Sequence, residues 1–294
     1  MQRRVAFLGL GVMGYPMAGW LSKRGYAVVV YNRTQTVSQR WLRDYAGEAA
    51  ATVAEAVAGA EIVFTCLGND DDVRAVVAGE TGALAAMSSG SVLVDHTTTS
   101  ALVARELAEQ AAALGLGFID APVSGGQQGA ENGQLTVMCG GQQDQFDAVK
   151  DVIESYAKSL QLMGDVGSGQ LCKMVNQICI AGMVQGLAEG LNFAKRAGLD
   201  AHQVVEVISK GAAQSWQMEN RYQTMLANDY EHGFAVQWMR KDLAFALDEA
   251  KANGSDLPLT QLVDGFYQQV QEMGGNRWDT SSLLARLEHD RSKA

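Results

Sequence analysis

The chain has 294 residues, 47% of them hydrophobic and 7% aromatic, with only three prolines; this excludes a disordered or Pro-rich protein and leaves room for two modest domains. The formal net charge is −10 with no basic stripe, which argues against a nucleic-acid partner; acidity favours solubility and does not choose a substrate. The start "MQRRVAFLGLGVMG" imitates a signal peptide, but its apolar run is short and is broken by Gly9, Gly11 and Gly14. No uninterrupted apolar stretch of about 18 residues is present, so no membrane span is expected. Cys66, Cys139, Cys172 and Cys179 lack C-x-x-C spacing and read as reduced core thiols of a cytoplasmic protein. The histidines (His96, His202, His232, His289) are scattered without metal-ligand spacing, so no metal is expected.

In chain order, "RVAFLGL", "AVVVYN", "EIVFTCLG", "SVLVDHT", "LGFIDAP" and "QLTVMCGG" read as strands. Helical stretches lie between them, among them Met13 to Arg24, Thr34 to Tyr45 and Leu102 to Leu114, and "AAATVAEAVAGAE" is alanine-rich helix. This alternation predicts βαβ units in an α/β, mostly parallel, doubly wound sheet. From about Gly167 the strands stop. A long helix is predicted from Gly169 to about Ala197, at 1.5 Å per residue roughly 40 Å. Further helices are predicted at Ala201 to Lys210, Ser215 to Leu226, Val236 to Asn253, Leu259 to Met273 and Ser281 to Glu288. The expected domains are 1–164, dinucleotide-binding, and 165–294, all-α, joined by the long helix.

That helix is apolar nearly all round and is expected to be buried on most sides. Gly182, Gly186 and Gly190 recur on one face. Gln185, Glu189 and Asn192 argue against a membrane dimerisation stripe; the glycines read as close approach of another helix, within the domain or across a dimer.

"VAFLGLGVMGYPMA" carries G-x-G-x-x-G at Gly9, Gly11 and Gly14, with Leu10, Val12 and Met13 between them. It follows a predicted strand and opens a predicted helix, the context that a Rossmann dinucleotide site requires. Gly9 makes the turn, Gly11 admits the pyrophosphate, and Gly14 packs helix on strand. At the end of the second strand, where NAD enzymes carry an acid for the ribose, stand Asn32, Arg33 and Thr34. A guanidinium and a hydroxyl suit a 2′-phosphate, so NADP(H) is preferred; Arg33 stacking on adenine would permit NAD(H) as well.

"DAPVSGGQQGAENGQLTVMCGG" is the second glycine-dense region. Ser124, Gly125 and Gly126 lie past a strand's carboxyl end and offer a hydroxyl and adjacent N–H groups, a nest suited to a carboxylate or an ordinary glycine turn. In "GQLCKMVNQ", Lys173, Asn176 and Gln177 share one helix face. Such a lysine either snorkels to water or exchanges a substrate's hydroxyl proton beside a nicotinamide, with a pKa lowered by desolvation and by the positive ring. The residues alone leave these two readings open.

The full set resembles the β-hydroxyacid dehydrogenase family, which includes 3-hydroxyisobutyrate dehydrogenase, tartronate semialdehyde reductase and the glyoxylate/succinic semialdehyde reductases. The resemblance rests on "FLGLGVMGYPMA", "DAPVSGGQQGAENGQLTVMCGG", "GSGQLCKMVNQ" and "MRKDLAFAL", four motifs in the family's order over essentially the whole chain. It implies Lys173 as general acid/base and a small carboxylate substrate held by Ser124 and Gly125 beside Gly126, with Asn176 and Gln177 completing the pocket. It further implies Phe234 as a pocket wall, Asp242 as support for the catalytic end and Lys241 reaching the cofactor. Thr98 matches a threonine beside the nicotinamide, and Leu67 a cofactor-lining leucine, with Gly68 and Asp72 in the same loop region. A homodimer or homotetramer is implied as well.

The chain departs from the family pattern in places. Gln177 stands where a second asparagine is usual, and its extra methylene puts substrate identity in doubt. Gly68 and Ala101 stand where prolines are common, which loosens loops without removing a chemical group. The leading expectation is an oxidoreductase moving hydride between NADP(H) or NAD(H) and a small β-hydroxy acid or semialdehyde. Candidate acids are 3-hydroxyisobutyrate, 3-hydroxybutyrate, 3-hydroxypropionate, glycerate and serine. The alternatives are an NADPH-dependent glyoxylate or succinic semialdehyde reductase and a non-catalytic dinucleotide-binding regulator. A short-chain dehydrogenase is excluded, because no tyrosine has a lysine four residues on.

Overall fold

Val5 and Phe7 of the first strand point to one side of a sheet, Ala6 and Leu8 to the other, and all four are fully buried in two separate clusters. A strand buried on both faces belongs to a parallel sheet with helices on each side. The computed structural model describes residues 3–289 and divides into two units, Met1–Lys173 and Met174–Ala294.

In unit 1 the main sheet contains β1 (Arg4–Leu8), β2 (Ala27–Tyr31), β3 (Glu48–Ala49), β4 (Ile62–Thr65), β5 (Val92–Asp95) and β6 (Gly117–Asp120). Its order is β3-β2-β1-β4-β5-β6, all parallel. This is the dinucleotide-binding order, with its switch point between β1 and β4. The helices are α1 (Gly14–Lys23), α2 (Gln35–Asp44), α3 (Val53–Val57), α4 (Asp70–Val77), α5 (Ala83–Ala86), α6 (Ala101–Ala113), α7 (Gly126–Glu131) and α8 (Gln143–Ile153). Local signals set their starts. Thr52 and Glu55 form a capping box on α3, Asn69 caps α4 through Asp72 N–H, and Ser100 caps α6 through Val103 N–H.

One strand expectation is corrected. "QLTVMCGG" does not extend the main sheet; it supplies β8 (Leu135–Cys139) of a second, three-stranded sheet, order β7-β8-β9. After β6 the chain forms β7 (Val123–Ser124), which pairs antiparallel with β8, while β9 (Ala157–Leu162) pairs parallel with it. An isolated Asp120–Gly140 bridge, just past the end of β8, links it to β6. The sequence did not reveal β9 because "AKSLQL" has no β-branched residue and is half exposed. Strands β3 and β7 are too short to show a period.

The helix α9 (Ser168–Arg196) runs from unit 1 into unit 2, where α10 (Ala201–Ile208), α11 (Trp216–Leu226), α12 (Val236–Asn253), α13 (Pro258–Glu272), a 3-10 turn at Thr280–Ser282 and α14 (Leu283–His289) follow. Asp200 and Ser215 cap α10 and α11, Pro258 opens α13, and left-handed Gly254 ends α12. Val184, Leu187 and Leu191 of α9 pack with Met239 and Leu243 of α12 and with Val263 and Tyr267 of α13.

Two further expectations are corrected. Helix α9 is buried on one side only. Val175, Cys179, Met183, Gly186, Gly190 and Phe193 form an exposed stripe, with Phe193 at 70% exposure. Cys179 is therefore not a core thiol, although all four cysteines are free. By length and composition α9 is also apolar enough to cross a membrane, although polar residues interrupt its apolar run. Core helices of soluble domains share that property, and Ala181, Val184, Ala188 and Ala194 of α9 lie in the unit 2 core.

Candidate active site

The turn after β1 is built on glycine. Gly9 has φ +98°, and a Cβ there would collide with the Cys66 carbonyl at the end of β4. A Cβ on Gly14 would strike the Gly9 carbonyl and stand 2.9 Å from Phe7, so helix and strand pack as closely as the fingerprint predicts. Gly11 instead faces open space. The N-cap of α1, Met13, makes no side-chain cap bond; in the first turn Tyr15 N–H donates to the Gly11 carbonyl at 3.0 Å and Pro16 carries no N–H. This turn fits a pyrophosphate. Leu10 is buried, Val12 exposed and Met13 half-buried around it.

Asn32, just past β2, is bonded to backbone through both ends of its carboxamide. Its Oδ1 accepts the Leu10 N–H at 3.0 Å, and its Nδ2 donates to the Thr34 carbonyl at 3.1 Å. It thus staples the phosphate turn to the end of β2. Arg33 is exposed, its Nη1 3.9 Å from Asp72 Oδ1, and Thr34 is the N-cap of α2 with its hydroxyl unused for capping.

Buried polar bonds tie the ends of β4 and β5 together. Leu67 N–H donates to Thr97 Oγ1 at 2.9 Å, Thr97 N–H to Asp95 Oδ1 at 2.9 Å, and Thr65 Oγ1 to the same oxygen at 2.7 Å. Ser100 donates from both N–H and Oγ to Asp70, at 3.0 and 2.7 Å. Gly68 and Thr98 lie half-buried in these loops, and Asp72 follows in the first turn of α4.

The start of α9 rests on Asp120, the fully buried last residue of β6. Its Oδ1 accepts Gly167 N–H at 2.8 Å and its Oδ2 accepts Gln170 N–H at 2.9 Å, a helix cap supplied from a distant strand. The approach is close enough that a Cβ on Gly169 would lie 2.5 Å from the Met138 carbonyl and 2.7 Å from that of Asp120. Burial pushes the Asp120 carboxyl up to about 6, against the two amides that favour its charge. Gln170 then reaches the β5 loop, donating to the Thr97 carbonyl at 2.8 Å and accepting Thr99 N–H at 3.1 Å. One turn on stands Lys173, only 7% exposed. Nearby, His96 bonds the Ala121 carbonyl and the Tyr156 hydroxyl at 2.6 and 2.8 Å; burial lowers its pKa to about 4 and keeps it neutral.

Ser124 ends β7 half-buried, and the exposed Gly125 and Gly126 take φ +129° and +61° as they open α7. Backbone of this sign at two successive residues is glycine territory.

Unit 2 brings together Asn176, Gln177, Lys241 and Asp242. Gln177, 1% exposed, donates from Nε2 to Asp242 Oδ2 at 2.7 Å and accepts Asn176 Nδ2 on Oε1 at 2.8 Å. Lys241 Nζ lies 3.4 Å from Asp242 Oδ1 and 5.6 Å from the ring centres of both Trp238 and Phe245. Phe234 is held through its N–H by Asp279 Oδ2 at 2.9 Å; Asp279 also takes Arg221 Nε at 3.2 Å and Ser281 N–H at 3.0 Å.

Sequence reasoning missed Asp95, Thr97, Asp120, Gln170 and Asp279. A signal existed for Asp95 and Asp120, since a carboxylate closing an otherwise apolar strand needs partners. None existed for Gln170.

Two family profiles cover most of the chain. The NAD binding domain of 6-phosphogluconate dehydrogenase matches residues 4–164. The NAD-binding domain of NADP-dependent 3-hydroxyisobutyrate dehydrogenase matches residues 167–287. An uncharacterized oxidoreductase of Shewanella frigidimarina (strain NCIMB 400) is 64% identical over 289 residues, 98% of this chain and 99% of its own. The 2-hydroxy-3-oxopropionate reductase of Escherichia coli (strain K12) is 33% identical over 285 residues, 97% of each chain. The crystal structure of 3-hydroxyisobutyrate dehydrogenase from Salmonella typhimurium superposes with TM-score 0.87 at 30% identity, covering 97% of this chain and 99% of that one. The chain belongs to the β-hydroxyacid dehydrogenase family. As a β-hydroxyacid dehydrogenase it is an NAD(P)-dependent oxidoreductase acting on a CH–OH group. Its cofactor is accordingly a nicotinamide dinucleotide.

Proposed function

We propose that this β-hydroxyacid dehydrogenase prefers NADP(H), interconverts a small β-hydroxy acid with its semialdehyde or keto acid, and uses Lys173 as general acid/base. The observation that carries the reading is the burial of Lys173 at 7% exposure. A snorkelling lysine would hold its ammonium in bulk water. This one lies one helical turn past a helix start fixed by Asp120 and Gln170.

When bound, the nicotinamide supplies the hydride donor or acceptor. The chain's task is then proton transfer and positioning. On oxidation, Lys173 Nζ in its neutral form takes the hydroxyl proton as the C–H leaves as hydride; on reduction its ammonium returns the proton to the forming alkoxide. Ser124, Gly125 and Gly126 hold the substrate carboxylate through hydroxyl and backbone N–H. Asn176 orients the substrate, and Phe234 walls the pocket. Gln177 acts through its bond to Asp242, which fixes both side chains and leaves Lys241 beside an acid and two rings. Leu67, Gly68 and Thr98 line the nicotinamide half, and the Gly9–Gly14 turn takes the pyrophosphate.

The preference for NADP(H) rests on Arg33 and Thr34, both exposed at the start of α2, with Asn32 already committed to the phosphate turn. Asp72 lies 3.9 Å from Arg33, but so exposed a pair is weak and yields to a 2′-phosphate. A second copy of the chain would cover the exposed stripe of α9, where Gly186 and Gly190 leave open space for another helix. The four free thiols fit a reducing compartment such as the cytoplasm.

Steady-state kcat/KM over 3-hydroxyisobutyrate, 3-hydroxypropionate, 3-hydroxybutyrate, D-glycerate, L-serine, glyoxylate and succinic semialdehyde, with both cofactors, tests the reading. At least one substrate turns over, faster with NADP(H). Nucleotide binding with no turnover of any of them would overturn it.

A further inference from the structure

We infer that Gln170 is a positioning residue that locks the backbone around Thr98 to the helical turn carrying Lys173. The inference rests on the reading of Lys173 as the acid/base. Gln170 is fully buried, and each of its polar groups has one assignment. Its N–H goes to Asp120 Oδ2 at 2.9 Å, its Nε2 to the Thr97 carbonyl at 2.8 Å, and its Oε1 takes Thr99 N–H at 3.1 Å. The carboxamide therefore brackets Thr98 on both sides, as a β-bridge would, and fixes the peptide planes that flank it. Thr97 is itself held by Asp95 and by Leu67 N–H, so the loops after β4 and β5 and the start of α9 form one hydrogen-bonded block.

Gln170 precedes Lys173 by three residues, so both side chains leave α9 on the same side. The block thus sets the Thr98 backbone and the Lys173 turn relative to each other. Proton transfer needs hydrogen-bond reach, and a misplacement of about 1 Å costs on the order of a hundredfold. Few other side chains meet this bonding pattern. Asparagine is shorter by one methylene, methionine has neither donor nor acceptor, and glutamate supplies the donor only while protonated. The titratable groups on the elements that Gln170 joins are Asp95 and His96 at the end of β5, Asp120 on β6, and Cys172, Lys173, Cys179, Glu189, Lys195 and Arg196 on α9.

Four measurements on the full chain test the inference. Gln170→Met lowers kcat about tenfold while KM for the nucleotide stays within about twofold, because the loss falls on the transition state. In the nucleotide-free protein, amide hydrogen exchange at Thr99 speeds up in the same variant. Gln170→Glu keeps the side-chain shape, so it also covers a folding failure of the methionine variant. Its kcat relative to wild type is highest at acid pH, where the acid donates to Thr97, and falls as the carboxylate forms. The double variant Lys173→Met/Gln170→Met is no slower than Lys173→Met alone. Wild-type kcat in Gln170→Met, a flat pH ratio in Gln170→Glu, or full additivity in the double variant would each overturn the inference. Wild-type kcat in Lys173→Met would overturn the acid/base reading instead; fast Thr99 exchange in Gln170→Met would then still mark Gln170 as the tie, so the two failures are distinguishable.

Discussion

Asp120→Asn is the sharpest probe of how the helix carrying Lys173 is anchored. The native carboxylate is fully buried and serves two amides, at 2.8 and 2.9 Å. Asparagine has one acceptor for the two, so one N–H is orphaned, at a cost of about 1–3 kcal/mol. Against this, burial moves the Asp120 carboxyl from its ordinary 3.8 to about 6, which costs its ionised form roughly 3 kcal/mol. The folded protein therefore holds this proton more tightly than the unfolded chain. The stability that the proton contributes is complete below pH 3.8 and is lost as pH rises through about 6. The variant has no such proton, so wild type exceeds it by more in acid, and the gap narrows by roughly 2 kcal/mol between pH 4.5 and 7.5. His96, lowered to about 4, destabilises both proteins alike as pH falls and cancels in the difference. Urea midpoints at three pH values with a constant slope read the gap. A gap that is flat in pH, or that widens toward neutrality, would refute the reasoning.

Other consequences follow from single contacts. Arg33→Ala lowers kcat/KM for NADP(H) about tenfold or more and leaves NAD(H) nearly unchanged; steady-state kinetics with both cofactors reads this, and equal losses would contradict the 2′-phosphate assignment. Gln177→Leu removes the 2.7 Å partner of the buried Asp242 and destabilises the protein by about 2–4 kcal/mol in urea unfolding. Gly186→Leu enters open space in the single chain, so thermal stability of the chain itself is kept while sedimentation shows a smaller assembly.

Much of the fold was legible because buried strands and amphipathic helices impose their periods on the sequence. Val236–Asn253 matched its expected helix in full, and α9 was displaced by one residue at each end. The glycine fingerprint was legible for a related reason, since a carbonyl collision at Gly9 or Gly14 admits no other residue. Strand β9 was hidden because it pairs at a half-exposed edge, where polar residues suffice. The exposed stripe of α9 was hidden because apolar residues outside a chain's own core look like those inside it. Asp120 and Gln170 act through contacts 50 and 71 positions away in sequence, a distance that no local pattern spans. Asn32 was placed at the right strand end, yet its bond to Leu10 N–H depends on how the phosphate turn folds back.

The account stands most directly on the proton that Lys173 carries. The decisive measurement is the pH dependence of kcat for wild type and Lys173→Met on the best substrate of the panel, with nucleotide affinity followed by fluorescence. The account predicts that the variant binds nucleotide as wild type does and loses about two to four orders of magnitude in kcat, together with the basic-group limb of the oxidation profile. Retention of full kcat with an unchanged profile would contradict it.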